Sequence, residues 1–258
     1  MFSLEQLQVL RSAEIDKITT FFKSGARILE LGAGTGQQAR ALAERGFEIT
    51  AIEMPGSNYS HAREFPIVEY DGSNIPFADG SFDIAFSSNV MEHIPDLHQT
   101  NREIRRVLRA DGYCIHVMPT HAWRFWTTLS TFPTALQYVG SLRSRMLPPL
   151  QRPNLKALKD LARTWLRVAR HLAAPFLQRR HGERGNVISE LWLFRPGWWR
   201  RAFREDGFEI LHDEPMGLFY TGNMTFGIRW SIERRERLAK VLGSAYHLFK
   251  VAPTCKST

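Results

Sequence analysis

The sequence predicts an α/β fold, and the first observation behind this prediction is a glycine turn that follows a strand. The apolar run Ala26–Leu29 leads into Glu30, and glycines then occupy alternate positions at Gly32, Gly34 and Gly36. Glycine adopts backbone angles that other residues avoid, and it lets a ligand approach the main chain closely. Because a helical segment comes next, the pattern predicts that a small cofactor lies across this turn.

The second observation is the glycine spacing taken together with an acidic residue that follows it. Dinucleotide-binding turns have the pattern G-x-G-x-x-G, whereas the glycines here follow G-x-G-x-G, and no Lys-Ser or Lys-Thr pair indicates a P-loop. Glu53 ends the next apolar run, residues 48–52. A carboxylate at that position is suited to accept hydrogen bonds from a ribose diol.

The third observation is a series of motifs that continues to residue 119. It comprises a polar turn, an apolar strand with a polar end, a basic helix and a further strand, at residues 68–77, 81–94, 103–109 and 112–119. In this order the motifs closely resemble the class I S-adenosylmethionine-dependent methyltransferases, specifically the type 11 group. The resemblance is dense over 21–119, resumes at 194–210 and is looser over 244–251. It implies a Rossmann-like, seven-stranded α/β methyltransferase fold with a helical lid inserted after strand five.

The resemblance also implies a division of the chain into three parts. Residues 1–119 would form the S-adenosylmethionine-binding core, 120–193 the inserted lid, and 194–258 the C-terminal part of the core. Strand six is expected over Phe208–His212 and strand seven over Ala245–Val251.

The methionine end of S-adenosyl-L-methionine is expected at the glycine turn. The resemblance implies that its contacts are Glu30 and the backbone of Gly32, Ala33 and Gly34. Gly36 would permit close packing of the helix that follows.

The adenosine end of the cofactor is expected at the next two strand ends. The resemblance implies that Glu53 binds the ribose hydroxyls and that Met54 lies against the adenine face. Asp71 would face the exocyclic amine of adenine, with the backbone of Gly72 and Ser73 nearby.

The methyl donor is expected beside Ser88 and Asn89, at the end of the fourth strand. A hydroxyl acceptor must lose its proton, and histidine suits that task because its unperturbed pKa lies near neutrality. His121 and His93 are the candidate bases, although His93 belongs to a family motif that also fits a structural or pocket-lining role. His116 lies within a strand and is predicted to be a packed core histidine.

Positive charge is concentrated in the insertion. The chain has a net charge of +8, and Ser141–Arg184 alone contains eleven Lys or Arg residues against two acids, a local charge of +9. The rest of the chain is therefore close to neutral, and the basicity says nothing about the predicted cofactor core.

A basic amphipathic helix is predicted within this insertion. Apolar residues recur at three- and four-residue steps, and basic residues follow the same steps on another face. The apolar residues are Leu155, Leu158, Leu161, Trp165, Val168, Leu172 and Phe176. The basic residues are Lys156, Lys159, Arg163, Arg167 and Arg170. Asn154 is a candidate N-cap, and Pro175 would end or kink the helix. The helix could pack its leucines on the core as a lid, contact an anionic membrane through residues 154–180, or bind RNA or another polyanion.

The acceptor is expected near the loop after strand five, residues 120–126, because ligands of open α/β sheets lie outside the carboxyl ends of the strands. Aromatic residues of the insertion could wall an apolar pocket or belong to the core. The Asn/Asp-Pro-Pro-Tyr/Phe signature of many base-methylating enzymes is replaced by Ser88–Met91, which argues against nucleic acid. The sequence therefore predicts a small-molecule, lipid or glycan acceptor methylated at oxygen. The alternatives are a non-catalytic binding or membrane-recruited relative and an RNA methyltransferase; the oligomeric state is open.

Composition also bears on location and on metal binding. No apolar run approaches the ~20 residues of a spanning helix, and the first twenty residues lack a signal-peptide pattern. Cys114 and Cys255 form no disulfide framework or metal cluster. We therefore expect a cytoplasmic protein, which is peripheral to the membrane if the basic helix binds there. We also expect no metal site.

Overall fold

A seven-stranded sheet forms the centre of the protein. The computed structural model describes residues 4–57, 60–141, 155–173, 176–223 and 229–254. The strands are β1 (Arg27–Leu31), β2 (Glu48–Glu53), β3 (Ile67–Glu69), β4 (Phe82–Ser88), β5 (Leu108–Pro119), β6 (Phe208–Pro215) and β7 (Tyr246–Pro253). Their order is β3-β2-β1-β4-β5-β7-β6, and β7 runs antiparallel to both of its neighbours while the other pairs are parallel. The predicted seven-stranded α/β fold is confirmed, and strands six and seven are each longer than predicted.

Helices accompany the strands in sequence. Those in the described ranges are α1 (Leu4–Thr19), α2 (Gln37–Ala43), α3 (Leu97–Val107), α4 (His121–Ser141), α5 (Leu155–Ala173), α6 (Glu190–Leu193), α7 (Pro196–Glu205) and α8 (Ile232–Leu242). Short 3-10 helices occur at Ser60–Ala62 and Met91–His93. Helices α4, α5 and α6 all lie between β5 and β6, so the insertion after strand five is helical, as predicted.

Both faces of the sheet are covered. Ile28 and Leu29 are adjacent in β1 and point to opposite faces, yet both are fully buried. Leu10 of α1 packs in the same cluster as Ile28, whereas Ile104 of α3 and Phe203 of α7 pack in the cluster that contains Leu29. Parallel sheets are buried on both sides in this way, which explains why the strands read as continuous apolar runs.

The strand register brings the predicted cofactor residues to one edge of the sheet. Leu31, the last residue of β1, pairs with Ile52 of β2 on one side and with Ser87 of β4 on the other. The carboxyl ends of these three strands therefore lie side by side. Glu53 and Ser88, each one residue further along, flank the turn that follows β1.

His116 is a core residue, as predicted. It is fully buried in β5, its Nδ1 atom lies 2.7 Å from the hydroxyl of Ser87, and its ring stacks on Phe203 with centroids 5.3 Å apart. Burial lowers its pKa to about 3, so the imidazole is neutral.

The amphipathic helix of the insertion forms where the periodicity places it, as α5, and it packs against α4. Its predicted cap and stop residues, Asn154 and Pro175, lie outside the described residues. Of the alternatives left open for this helix, packing of its apolar face on the core does not hold for most of that face. Val168 is buried, but Leu158, Trp165 and Leu172 are exposed. Helical periodicity defines such a face without specifying what covers it.

No helix within the described ranges combines the length and the apolar character that a membrane crossing requires.

Candidate cofactor and acceptor site

The glycine turn after β1 requires glycine for two physical reasons. Gly32, Gly34 and Gly36 have φ angles of +66°, +59° and +80°, a region that side chains disfavour. A Cβ atom on Gly32 would lie 2.5 Å from the Cγ2 atom of Val90, and one on Gly36 would lie 2.6 Å from the Cβ atom of Phe65. The close neighbour of Gly36 is thus a loop residue before β3.

Glu30 is a buried carboxylate beside this turn. It is 2% exposed, and within the described structure its Oε2 atom has no hydrogen-bond partner. Burial, together with the nearby charge of Glu53, raises its pKa to about 8. An unpaired buried oxygen is costly, so this position fits a ligand that carries a hydrogen-bond donor or a positive charge.

Glu53 joins the end of β2 to the glycine turn. Its Oε2 atom accepts a hydrogen bond from the backbone N–H of Gly34 at 2.8 Å, and its Oε1 atom accepts one from the N–H of Met54 at 2.8 Å. Carboxylate oxygens can accept more than one hydrogen bond. Glu53 is therefore fixed in place and retains acceptor capacity for a diol.

The predicted adenine residues lie together. The position that a Cβ atom of Gly72 would occupy is 3.0 Å from the Sδ atom of Met54, whose side chain is exposed. Asp71 accepts hydrogen bonds from the backbone N–H groups of Ser73 and Asn74 at 2.8 and 2.7 Å, and from the Asn74 side chain at 2.7 Å. The hydrogen bonds from Asn74 lead those that lower the pKa of Asp71. Asp71 thus organises this turn as well as facing solvent.

The end of β4 is held by an arginine from α1. Asn89 has a φ of +58°, and its N–H donates to the carbonyl of Val117 at 2.8 Å. Arg11 Nη1 lies 3.4 Å from the Ser88 hydroxyl. With the Asn89 carboxamide oriented to satisfy both neighbours, its oxygen accepts from the two Arg11 Nη atoms at 2.8 and 2.9 Å and its nitrogen donates to the Tyr246 hydroxyl at 3.2 Å.

A buried polar cluster behind these residues was not predicted from the sequence. Glu14 accepts a hydrogen bond from Arg11 at 3.0 Å and one from the Tyr220 hydroxyl at 2.6 Å, and the Arg11 guanidinium lies 5.5 Å from the ring centroid of Tyr246. The only sequence signal is the Arg11 and Glu14 pair three residues apart within an apolar helix face. Its partners come from distant parts of the chain, which sequence spacing alone does not reveal.

The two predicted bases lie in different environments. His93 ends the 3-10 helix after β4, where its ring contacts His181 with centroids 4.8 Å apart. His121 is exposed at the start of α4, and its N–H donates to the carbonyl of Phe194 at 3.1 Å. Burial lowers the pKa of both side chains, and Arg195 adds to the effect at His121. In the described part of the chain, no hydrogen bond, ion pair or ring contact joins His93 to His121.

His181 reaches this site because the insertion docks on the 3-10 helix. Glu190 of α6 is fully buried, and its Oε1 atom accepts the backbone N–H groups of His181 at 2.5 Å and Gly182 at 2.8 Å. Its Oε2 atom lies 3.0 Å from Nε of the buried Arg124. The His181 ring packs 4.6 Å from that of Trp123, and burial, His93 and Arg124 lower its pKa to about 4.

The aromatic residues of the insertion divide between core and surface. Trp123 is buried, as is Trp199 of α7 beyond the insertion, whereas Phe125 and Trp192 are exposed. A cavity of about 600 Å³ lies beside Trp192 and Trp198 on the α6–α7 surface, but its lining includes none of the predicted cofactor residues. We assign it no role in the predicted reaction.

The sheet and its polar strand ends define a Rossmann-like, cofactor-binding α/β domain. Residues 29–116, which carry the glycine turn, Glu53, Asp71 and Ser88, match a family model described as a methyltransferase domain. The resemblance predicted from the motifs is confirmed over this segment.

Individual relatives agree with this assignment. An uncharacterized methyltransferase of Mycobacterium sp. (strain JLS) is 38% identical over 96 residues, which cover 35% of this chain and 38% of that relative. An S-adenosylmethionine-dependent methyltransferase from Mesorhizobium loti superposes with a TM-score of 0.51 at 17% identity, covering 93% and 97% of the two chains. An S-adenosylmethionine-dependent methyltransferase from Methanosarcina mazei superposes with a TM-score of 0.52 at 16% identity, covering 92% of this chain and 97% of that protein. These structures share the fold, while the sequence match spans about two fifths of the mycobacterial relative.

Proposed function

We propose that this protein is an S-adenosylmethionine-dependent methyltransferase that acts on a small-molecule, lipid or glycan acceptor at oxygen. The observation that carries the proposal is the buried, unpaired Oε2 atom of Glu30 beside the glycine turn. The methionine amino group of the cofactor is a cation with hydrogen-bond donors, and it would satisfy this oxygen. A fold with nothing bound would leave the oxygen unpaired at a cost of about 1–3 kcal/mol.

The remaining cofactor contacts follow the strand ends. Glu53, already fixed by Gly34, would accept from the ribose hydroxyls, and the exposed Met54 beside Gly72 would cover the adenine. Asp71 would accept from the adenine amine. The backbone of Gly32, Ala33 and Ser73 would line the same strip. When bound, S-adenosylmethionine supplies a methyl group already activated on a sulfonium, so the protein mainly aligns the acceptor and excludes water.

Alignment at the methyl group is the role we give to the end of β4. Ser88 and Asn89 are held by Arg11, which is itself held by Glu14. Side chains whose partners are fixed in this way keep a defined geometry, as a reacting centre requires. The N-terminal helix therefore contributes to the site through Arg11.

Methylation at oxygen needs a group that takes the hydroxyl proton. Of the two predicted bases we favour His93, because it ends the 3-10 helix that follows β4 and its imidazole has a lowered pKa. His121 begins α4, where its backbone N–H donates to the carbonyl of Phe194. A base role for His121 would require an acceptor that extends along the start of α4.

The exposed face of the insertion supports contact with an anionic membrane. Leu158, Trp165 and Leu172 of α5 are exposed, and Phe176, three residues beyond the end of the helix, is 78% exposed. Lys159, Arg163 and Arg170 of the same helix are also exposed. Exposed apolar side chains flanked by basic ones are typical of helices that lie in a membrane interface. A membrane-bound enzyme could take its acceptor, a lipid or lipid-linked glycan, from that surface.

Calorimetric titration with S-adenosylmethionine tests the cofactor assignment. We expect one site, lost or weakened more than tenfold in Glu30→Gln and unchanged in Glu209→Gln, an exposed carboxylate on β6. Well-folded wild-type protein that binds neither S-adenosylmethionine nor S-adenosylhomocysteine would contradict the enzyme assignment and favour a non-catalytic relative.

Co-sedimentation with vesicles of phosphatidylserine and phosphatidylcholine tests the membrane contact. The test variants replace either apolar residues (Trp165→Ser with Leu172→Ser) or basic ones (Lys159→Gln, Arg163→Gln and Arg170→Gln). Each basic residue near such a surface is worth about 1 kcal/mol, so both variants should lose most of the binding. A matched control is Arg201→Gln with Arg204→Gln on α7. If the wild-type protein does not co-sediment with vesicles but binds RNA, the result would contradict the membrane contact and favour binding of a polyanion.

A further inference from the structure

The 3-10 helix after β4 and the docked loop of the insertion place three metal-ligand side chains together. The Oε1 atom of Glu92 lies 3.8 Å from Nε2 of His93 and 3.8 Å from Nε2 of His181. All three candidate ligand atoms lie within 4.8 Å of one another. A zinc ion bound tetrahedrally at ~2.0–2.1 Å needs donors about 3.3 Å apart. Small rotations of the two partly exposed imidazoles would close that difference.

The buried carboxylate of Glu92 also indicates a cation site, independently of these distances. It is 1% exposed, and in the described structure neither of its oxygens has a hydrogen-bond partner. Arg184 and Arg11 act on this carboxylate through their charges. The Arg184 guanidinium instead donates its hydrogen bonds to the carbonyl oxygens of Ile94 and Met91 at 2.7 and 3.0 Å. A buried carboxylate without a partner is costly. It therefore fits a site that a cation completes.

We propose that Glu92, His93 and His181 bind a divalent transition-metal ion of the zinc class. Two imidazoles and one carboxylate are a donor set that such ions prefer. Three protein ligands leave a coordination position open, as in catalytic zinc sites. The sequence predicted no metal site, because its two cysteines form no metal-binding pattern and His181 lies far from the Glu92–His93 pair in the chain.

The position of this site relates it to the acceptor. Glu92 and His93 follow Ser88 and Asn89, and Val90 between them packs against Gly32 of the cofactor turn. An ion at this position could bind an acceptor hydroxyl and lower its pKa, and His93 would then act as a ligand instead of a base. This consequence rests on the proposed function, whereas metal binding itself does not.

The small cavity beside Glu92 supplies the competing explanation. Glu92, Gly182 and Phe194 help to line a space of about 10 Å³, which is about enough for one water molecule. A water there would satisfy the carboxylate without any metal. The two explanations differ in what they predict for metal uptake.

Titration of chelator-treated protein, without a polyhistidine tag, with Co²⁺ and then Zn²⁺ tests the site. We expect one equivalent of Co²⁺ with the visible ligand-field absorption of a low-coordinate N/O site, displaced by Zn²⁺. Glu92→Gln and His181→Ala should each weaken binding by more than about tenfold. His61→Ala, an exposed histidine elsewhere, should leave it unchanged.

Two results would overturn the metal site. One is folded wild-type protein that takes up neither ion, which would leave the water as the partner of Glu92. The other is uptake that Glu92→Gln and His181→Ala do not change, which would mean a surface site. Circular dichroism shows whether each variant is folded, and the isosteric Glu92→Gln keeps the test open if His181→Ala does not fold. S-adenosylmethionine titration of the same samples separates failure of the metal site from failure of the cofactor assignment.

Discussion

The Tyr220 hydroxyl donates a hydrogen bond to Oε1 of Glu14 at 2.6 Å, and both side chains are buried. This contact joins the N-terminal helix to the segment after β6. Glu14 also accepts from Arg11, which in turn contacts Ser88 and Asn89 at the end of β4. The geometry of the predicted methyl-transfer site thus depends on a residue outside the matched methyltransferase segment.

Replacing Tyr220 with Phe should destabilise the protein. The change leaves Oε1 of a buried carboxylate without its donor, and the expected loss is about 1–3 kcal/mol in the free energy of unfolding by urea. Tyr113→Phe is the matched control, because that hydroxyl donates to a neutral acceptor, the carbonyl of Phe21, at 2.6 Å. Equal losses in the two variants would mean that the Glu14 charge adds nothing to the Tyr220 hydrogen bond.

Stability of the cofactor-free protein should fall with rising pH because of Glu30. The pKa of this carboxyl is about 8 in the folded protein and about 4.5 when unfolded, so the folded state holds its proton more tightly. The favourable contribution of this carboxyl to the free energy of unfolding is complete below pH 4.5 and is lost as the pH rises through 8. Glu30→Gln lacks this loss and should be more stable than wild type by roughly 2–4 kcal/mol at pH 8, at ~1.4 kcal/mol for each pKa unit.

Thermal and urea unfolding of Glu30→Gln across pH 4–9 measures this difference. The gap between variant and wild type should be near zero at pH 4 and widen toward pH 8, while Glu209→Gln should show no such trend. Saturating S-adenosylmethionine should reverse the order at pH 8, because only wild type gains from the ligand. A gap that does not change with pH would contradict the raised pKa of Glu30.

Sequence reasoning succeeded where the determinants are local. The turn from Gly32 to Gly36 and the position of Glu53 follow from a strand, glycines and a second strand close together in the chain. Glu92 belongs to a motif on which the family resemblance rests, whereas its neighbour His181 belongs to the insertion. The two residues come together only because Glu190 binds the backbone of the loop that carries His181. Helical periodicity likewise predicted α5, but it could not show that the side chain of Trp165 is exposed.

Gly32 should tolerate alanine much less well than a glycine with the same backbone conformation in open space. Gly25 has a φ of +71° and nothing within 4 Å of the position that a Cβ atom would take, whereas Gly32 has a φ of +66° and its Cβ atom would clash with Val90. Gly25→Ala therefore measures backbone strain alone, roughly 1–2 kcal/mol. Gly32→Ala should cost at least about 1 kcal/mol more, measured by urea unfolding.

The double variant Gly32→Ala with Val90→Ala identifies the cause of that excess. Val90→Ala removes both Cγ atoms that the new methyl group would meet. The cost of Gly32→Ala in this background should fall toward that of Gly25→Ala. An unchanged cost would show that the clash with Val90 is relieved by other movements.

Glu190→Gln should destabilise the protein and, separately, weaken the proposed metal site. Removing the charge leaves the buried guanidinium of Arg124 without its counter-ion at 3.0 Å. Breaking such a buried pair costs about 3–5 kcal/mol. Asp160→Asn breaks the exposed pair with Arg163 and should change stability by less than about 1 kcal/mol.

The metal consequence follows from the other oxygen of Glu190. Its Oε1 atom holds the backbone of His181 and Gly182, so a displaced loop would move His181 away from Glu92. Co²⁺ titration at a temperature where Glu190→Gln is folded should show weaker binding, with Asp160→Asn unchanged. Among the described residues no hydrogen bond or ion pair joins Glu190 to Glu92 or His93. Unchanged Co²⁺ affinity in a destabilised Glu190→Gln variant would therefore mean that the Arg124 pair stabilises the insertion without positioning His181.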